Sequence, residues 1–305
     1  MNVNGTFFEP PVVQRAALRD LHALGVDVGR ADTFWVAIEP RPGTLHWGFT
    51  DVRVTALAAA GIRWQPIVDY STPWAASAPG DDKAAPRPDA YAGFAAALAR
   101  RYGPGGAFWR SHPRLPQLPV EAYEIWNEPD SGVFWRPQPD PAAYAVVYDR
   151  ARTAIKAVDP HAIVVTGGLF PDGAARFIKA VRAATDVDAI GYHAYGADAP
   201  AALSNLHAFL HETGGDPVWL TELGWPLTGD GALSEDARTR AYRALLPATA
   251  RICAVAEWAP YTWMSTPAQR YPDKRIFDLH GRGGPLPAAR AYEDFIGASH
   301  KRVCG

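Results

Sequence analysis

The sequence has two cysteines and two methionines in 305 residues, and no long apolar run. Two thiols cannot assemble a metal cluster or a disulfide-rich scaffold, which leaves room for one bridge, between Cys253 and Cys304. No stretch approaches the roughly 18 consecutive apolar residues of a membrane span, and no basic segment followed by an apolar one opens the chain. An excess of one charge is also missing, because 30 basic residues face 32 acidic ones for a formal net charge of −2. Binding to nucleic acid by counterion release therefore has no basis, and no nucleic-acid partner is expected. The glycine turn G-x-G-x-x-G of dinucleotide-binding sheets is absent, since the first strand-like run continues as Phe7-Phe8-Glu9. Histidine is sparse at nine residues, and only His193 ends a strand-like run. A metal-dependent hydrolase needs clustered ligands at strand ends, so neither a metal nor a cofactor is expected.

What is present belongs to a globular protein with a sizeable core, 48% hydrophobic and 20% charged. Strand-like runs fall at residues 3–7, 26–30, 63–69, 120–126, 162–168, 187–193, 218–222 and 252–258. Between and after them lie alanine-rich segments with 3.6-residue apolar spacing at 12–24, 52–60, 90–102, 141–158, 173–184, 200–212, 235–250 and 287–296. Eight strand–helix pairs with no linker-like break predict one (β/α)8 barrel, a TIM barrel, over residues 1–305. In that fold chemistry sits at the C-terminal ends of the strands, so the residues closing each run are the candidates.

The fourth run closes as Tyr123-Glu124-Ile125-Trp126-Asn127-Glu128-Pro129, and the seventh as Trp219-Leu220-Thr221-Glu222-Leu223-Gly224-Trp225. A pair of carboxyl groups at one barrel mouth is the equipment of glycoside hydrolysis, in which one protonates the leaving oxygen and the other meets the oxocarbenium-like carbon. Glu128 precedes proline, which predicts an extended backbone there, and Asn127 offers an amide to a sugar 2-hydroxyl. Glu124, inside a strand, and Glu39, in a proline-flanked loop, read as structural hydrogen-bonding groups.

Asn-Glu-Pro after the fourth strand and Thr-Glu-Leu-Gly-Trp after the seventh resemble glycoside hydrolase clan A, and Trp35…Ile38-Glu39-Pro40…Gly43…Trp47 resembles its cellulase-like and family 39 members. The likeness runs over nearly the whole chain. It implies Glu128 as general acid/base, Glu222 as nucleophile, and hydrolysis of an equatorial glycosidic bond with retention. It further implies that Arg30 holds the nucleophile ionised, that Tyr195 contacts it, and that His193 contacts the sugar or the groups behind it. By the same resemblance Trp263, in Tyr261-Thr262-Trp263, is the platform under the bound sugar. Trp35, Trp74 and Trp225, also just past strand ends, and Asp69 at the third strand end are candidates for further sugar contacts.

The expected partner is an oligosaccharide, polysaccharide or glycoside, and the expected state a monomer. A carbohydrate-binding pseudoenzyme and a metal-dependent barrel hydrolase stay open as alternatives. The strand-like character of Met1 to Phe8, around the run at 3–7, starts at the first residue and suggests an upstream segment removed, which together with a Cys253–Cys304 bridge favours secretion over the cytoplasm.

Overall fold

The computed structural model of the protein describes residues 1–267 and 275–297. Its packing divides into two compact units, one of Met1–Arg30, Ala60–Ile62 and the described residues from His193 onward, the other of Ala31–Ala59 and Arg63–Tyr192.

All eight expected helices form: α1 (Pro11–Ala23), α3 (Gly48–Ala59), α4 (Pro88–Tyr102), α6 (Pro141–Lys156), α7 (Ala174–Arg182), α8 (Ala199–Thr213), α9 (Glu235–Ala250) and α10 (Pro287–Gly297). Two short ones, α2 (Trp35–Ile38) and α5 (Ala107–Ser111), were not expected. Local chemistry sets several starts. Asp140 caps α6 through Ala142 and Ala143 N–H, Asp198 caps α8 through Ala201 N–H, and Ser234 caps α9 through Ala237 N–H.

Seven of the eight expected strands form: β1 (Val28–Asp32), β2 (Arg63–Val68), β3 (Ala122–Ile125), β4 (Ile163–Thr166), β5 (Ile190–His193), β6 (Val218–Leu223) and β7 (Val255–Pro260). β1 to β4 make one sheet in sequence order and β5 to β7 another, with parallel pairing at β2–β3, β3–β4 and β6–β7. A two-residue hairpin of β8 (His280–Gly281) and β9 (Gly284–Pro285) precedes α10.

The first expected strand, at 3–7, is instead a 3-10 helix over Asn4–Phe8. Extended pairing is confined to the residues before it: Asn2 bridges Arg30 in parallel, and its N–H reaches Pro260 O at 3.1 Å. The turn at Asn4-Gly5 ends it there. Gly5 sits so close to Met264 that a Cβ would lie 1.9 Å from its carbonyl oxygen, so only glycine fits.

In the unit of Ala31–Ala59 and Arg63–Tyr192, tyrosines carried on helices reach the ends of strands. From α4, the buried Tyr91 OH donates to Val68 O. From α6, Tyr144 OH donates to Ile125 O at 2.8 Å and Tyr148 OH to Val164 O at 2.6 Å. Each hydroxyl ties its helix to a strand carbonyl, Val68 O accepting from Trp126 N–H at 3.2 Å as well, which sets helix depth against strand register.

Candidate active site

Glu222 is the second-last residue of β6, and its carboxylate is buried among groups of its own unit. Oε1 accepts from Arg30 Nη1 at 2.9 Å, Oε2 accepts from Tyr195 OH at 2.7 Å, and His193 Nε2 lies 3.6 Å from Oε1. Burial pushes this carboxyl upward, yet the charges of His193 and Arg30 and the hydrogen bonds from Tyr195 and Arg30 outweigh it and hold Glu222 below the usual carboxylate value. Glu222 is therefore ionised at neutral pH. Arg30 was expected to end its strand; β1 runs on to Asp32, and Arg30 lies within it, 1% exposed. A guanidinium so deeply buried needs partners at fixed positions, and Glu222 is one of them.

Sequence reasoning missed another. Asn2 Oδ1 accepts from the same Arg30 nitrogen at 2.6 Å. No local signal marks Asn2, since its partners lie 28 residues away and more than 200 residues away.

In the second unit, Asn127 and Glu128 follow β3 after one residue, Trp126. The extended backbone expected of Glu128 is not found: its φ is 44° and that of Trp126 is 70°, both left-handed. Such conformations in non-glycine residues cost on the order of 1–3 kcal/mol each and persist where the surroundings impose them. Here Glu128 N–H donates to Gly168 O at 3.1 Å and Ser131 N–H closes a turn onto Glu128 O at 3.0 Å. Glu124 accepts from Gly168 N–H at 2.9 Å, the structural role expected of it. The Asn127 side chain hydrogen-bonds the Tyr70 hydroxyl, which burial, with Asp69 and Asp32 nearby, pushes well above the usual tyrosine range. Tyr70 is itself clamped, with Lys83 Nζ 3.1 Å above its ring centroid and Phe134 stacked at 6.0 Å. Peptide bonds Asp69–Tyr70 and Tyr261–Thr262 are cis.

The aromatic candidates separate. Trp263 is 0% exposed with its indole N–H on Ala17 O at 3.0 Å, so it has no face to offer a sugar. Tyr261, two residues earlier, is half-buried beside Phe277, whose ring also meets Tyr195. Trp225 is buried with its N–H on Gly196 O at 2.9 Å. Trp35 is 0% exposed and bonded to Glu39 Oε2 at 2.8 Å, which makes it core. Trp74, half-buried with its N–H on Glu39 O at 2.8 Å, keeps a partly open ring. Asp69 is 0% exposed; its Oδ1 accepts from Thr33 N–H at 3.1 Å and its carbonyl from Trp35 N–H at 2.9 Å, so it braces the loop after β1 and meets no solvent. Cys253 lies in the turn before β7, and its expected partner Cys304 is outside the described residues.

The chain matches the family model of the glycosyl hydrolase catalytic core over residues 120–292, more than half its length, and it belongs to that family. It is a glycoside hydrolase, and carbohydrate is its substrate class. Among solved structures it is similar to a family 39 β-xylosidase from Caulobacter crescentus, at 20% identity over 96% of this chain and 69% of that one, with a TM-score of 0.68. An exo-β-1,4-mannosidase, Op5Man5 from Opitutaceae bacterium strain TAV5, has 20% identity over 96% of this chain and 56% of its own, with a TM-score of 0.69. Xylanase 10B from Thermotoga maritima has 13% identity over 99% and 95% of the two chains, with a TM-score of 0.62. At these identities the likeness is one of fold, and the fold is the (β/α)8 barrel. No curated protein matches the sequence.

Proposed function

We propose that this glycoside hydrolase cleaves an equatorial glycosidic bond by double displacement, with Glu222 as nucleophile and Glu128 as acid/base. The observation that carries the reading is the setting of Glu222 at the end of β6, where Arg30, His193 and Tyr195 hold it anionic. A carboxylate kept charged while buried is suited to attack on carbon and poorly suited to donate a proton. In the first step a Glu222 oxygen bonds to the anomeric carbon, the bond to the aglycone oxygen breaks, and Glu128 gives its proton to that oxygen. In the second step Glu128 takes a proton from water, the water oxygen bonds to the anomeric carbon, and Glu222 leaves. Asn127, steadied by Tyr70, is placed to bond a sugar hydroxyl next to the acid/base. The half-buried Tyr261, in place of Trp263, supplies the aromatic face. The xylosidase, mannosidase and xylanase among the similar structures make β-xylosides and β-mannosides the first substrates to try.

The test pairs two variants with one stereochemical measurement. Glu222→Gln is expected to abolish turnover of every glycoside. Glu128→Gln is expected to spare the first step for an aryl glycoside with a good leaving group, because little protonation is needed. Proton NMR of the first-formed sugar should show the starting anomeric configuration. The opposite anomer, or equal loss of activity in the two variants on the activated substrate, overturns the assignment.

A further inference from the structure

We propose that Asn2 is a positioning residue for the nucleophile, its side-chain amide fixing the Arg30 guanidinium against Glu222 and anchoring both to the backbones of β6 and β7. The inference rests on the reading of Glu222 as nucleophile.

An asparagine side chain carries one acceptor oxygen and two N–H donors, and Asn2, 1% exposed, has used all of them. Nδ2 donates to Thr221 O at 2.9 Å, Ala259 O at 3.0 Å and Pro260 O at 3.3 Å, while Oδ1 accepts from Arg30 Nη1 at 2.6 Å. These partners fix which end of the amide is which. Flipped, the oxygen would face three carbonyl oxygens and the N–H groups would face a guanidinium. The backbone of Asn2 is pinned too, with N–H on Pro260 O at 3.1 Å and its carbonyl accepting from Trp263 N–H at 2.8 Å and Thr262 OH at 3.0 Å.

The consequence falls on one nitrogen. Arg30 Nη1 has two hydrogens; one goes to Asn2 Oδ1 and the other to Glu222 Oε1. Holding the first sets the rotation of the guanidinium about the end of a long side chain, so the second points at the carboxylate. Thr221, whose carbonyl Asn2 also holds, immediately precedes Glu222, so the cation and the backbone that carries its partner share one anchor. Aspartate could not substitute. It would set a carboxylate oxygen against the carbonyls and compete with Glu222 for the charge of Arg30.

The experiment measures the pH dependence of kcat/KM on an activated aryl glycoside for the full chain and for Asn2→Ala, Arg30→Met and the double variant. Asn2→Ala is expected to move the acidic limb upward by roughly 0.5–1 pH unit, in the direction expected when a cation's hold on a carboxylate loosens. In the Arg30→Met background, the same substitution is expected to move the limb much less, because the charge that Asn2 aims at Glu222 is then gone and only its hold on Thr221 remains. An acidic limb unmoved by Asn2→Ala, or moved equally with and without Arg30, overturns the proposal. If Asn2→Ala does not fold, Asn2→Ser, which keeps a hydroxyl for one carbonyl, is read by the same two criteria. Full turnover by Glu222→Gln would overturn the nucleophile assignment itself. An inactive Glu222→Gln beside an unmoved limb in Asn2→Ala would overturn the role of Asn2 alone.

Discussion

Replacing Arg30 with methionine removes a cation from a buried carboxylate while leaving an unbranched, adaptable chain to fill most of the space. Arg30 Nη1 and Glu222 Oε1 are 2.9 Å apart, with the arginine side chain 1% exposed. At an effective dielectric of about 20 a pair this close attracts by about 6 kcal/mol before desolvation. That gross figure overstates what a titration would show, because Tyr195 still donates to Glu222 at 2.7 Å and His193, the strongest of the influences lowering its pKa, remains 3.6 Å away. An opposite charge at contact usually moves a carboxyl by about 1–3 pH units, and with two partners left the lower half of that range, about 1–2, is expected here.

The assay is the pH profile of kcat/KM, whose acidic limb reports the free enzyme's essential ionised group, proposed to be Glu222, and should rise by that amount. Stability supplies an independent reading. Removing one partner of a buried pair leaves a charge uncompensated, at about 3–5 kcal/mol. The folded value of Glu222 is depressed, so its stabilisation is complete above the unfolded carboxyl value and is lost as pH falls through the folded one. The gap between wild type and variant in urea unfolding should thus be widest near neutrality and narrow on acidification below about pH 4. An acidic limb that stays in place would remove Arg30 from the mechanism, and a gap that widens in acid would show that the loss is not electrostatic.

Trp263→Ala should destabilise the fold by about 3–5 kcal/mol, as expected for a buried indole, whereas Tyr261→Ala should leave the melting temperature nearly unchanged and raise KM. A well-folded Trp263→Ala with a raised KM would restore that indole as the sugar platform. Asp188 accepts from Arg152 Nε at 2.7 Å and Val164 N–H at 3.1 Å and pairs with Lys156 Nζ at 2.9 Å. Burial raises its carboxyl, but the bonds from Lys156, Arg152 and Val164 more than offset this and depress it. Asp188→Asn should cost about 1.5–3 kcal/mol at pH 7, and the difference should shrink as pH falls below about 4 and through the depressed folded value. Equal destabilisation by urea unfolding at pH 7 and pH 3 would contradict that account.

The architecture was legible in the sequence because strand and helix each leave a short-range period, and eight alternating pairs without a linker admit few folds. Glu128, Asn127, Glu222, His193 and Tyr195 were legible for a related reason: each closes or follows a strand, and strand ends are where a barrel exposes its chemistry. Other features depended on partners far along the chain. A tryptophan and a tyrosine two residues apart look alike as sugar platforms until Ala17, 246 residues away, takes the indole N–H of Trp263 and the interior closes over it. The run at 3–7 has the composition of a strand, but Thr6 N–H turns back onto Val3 O, and Gly5 sits where the Met264 carbonyl leaves no room for a Cβ. The left-handed φ of Glu128 overrides the local preference of a residue before proline, because its N–H is committed to Gly168. Asn2 carries no signal in its neighbours at all. Its role exists only where β1, β6 and β7 bring a guanidinium and three carbonyls to one amide. Sequence by itself determines which segments are periodic and which side chains stand at their ends. Which of those side chains meet a substrate, and which are spent on satisfying one another, is decided by tertiary packing, since burial and hydrogen-bond satisfaction belong to pairs of residues and not to single ones.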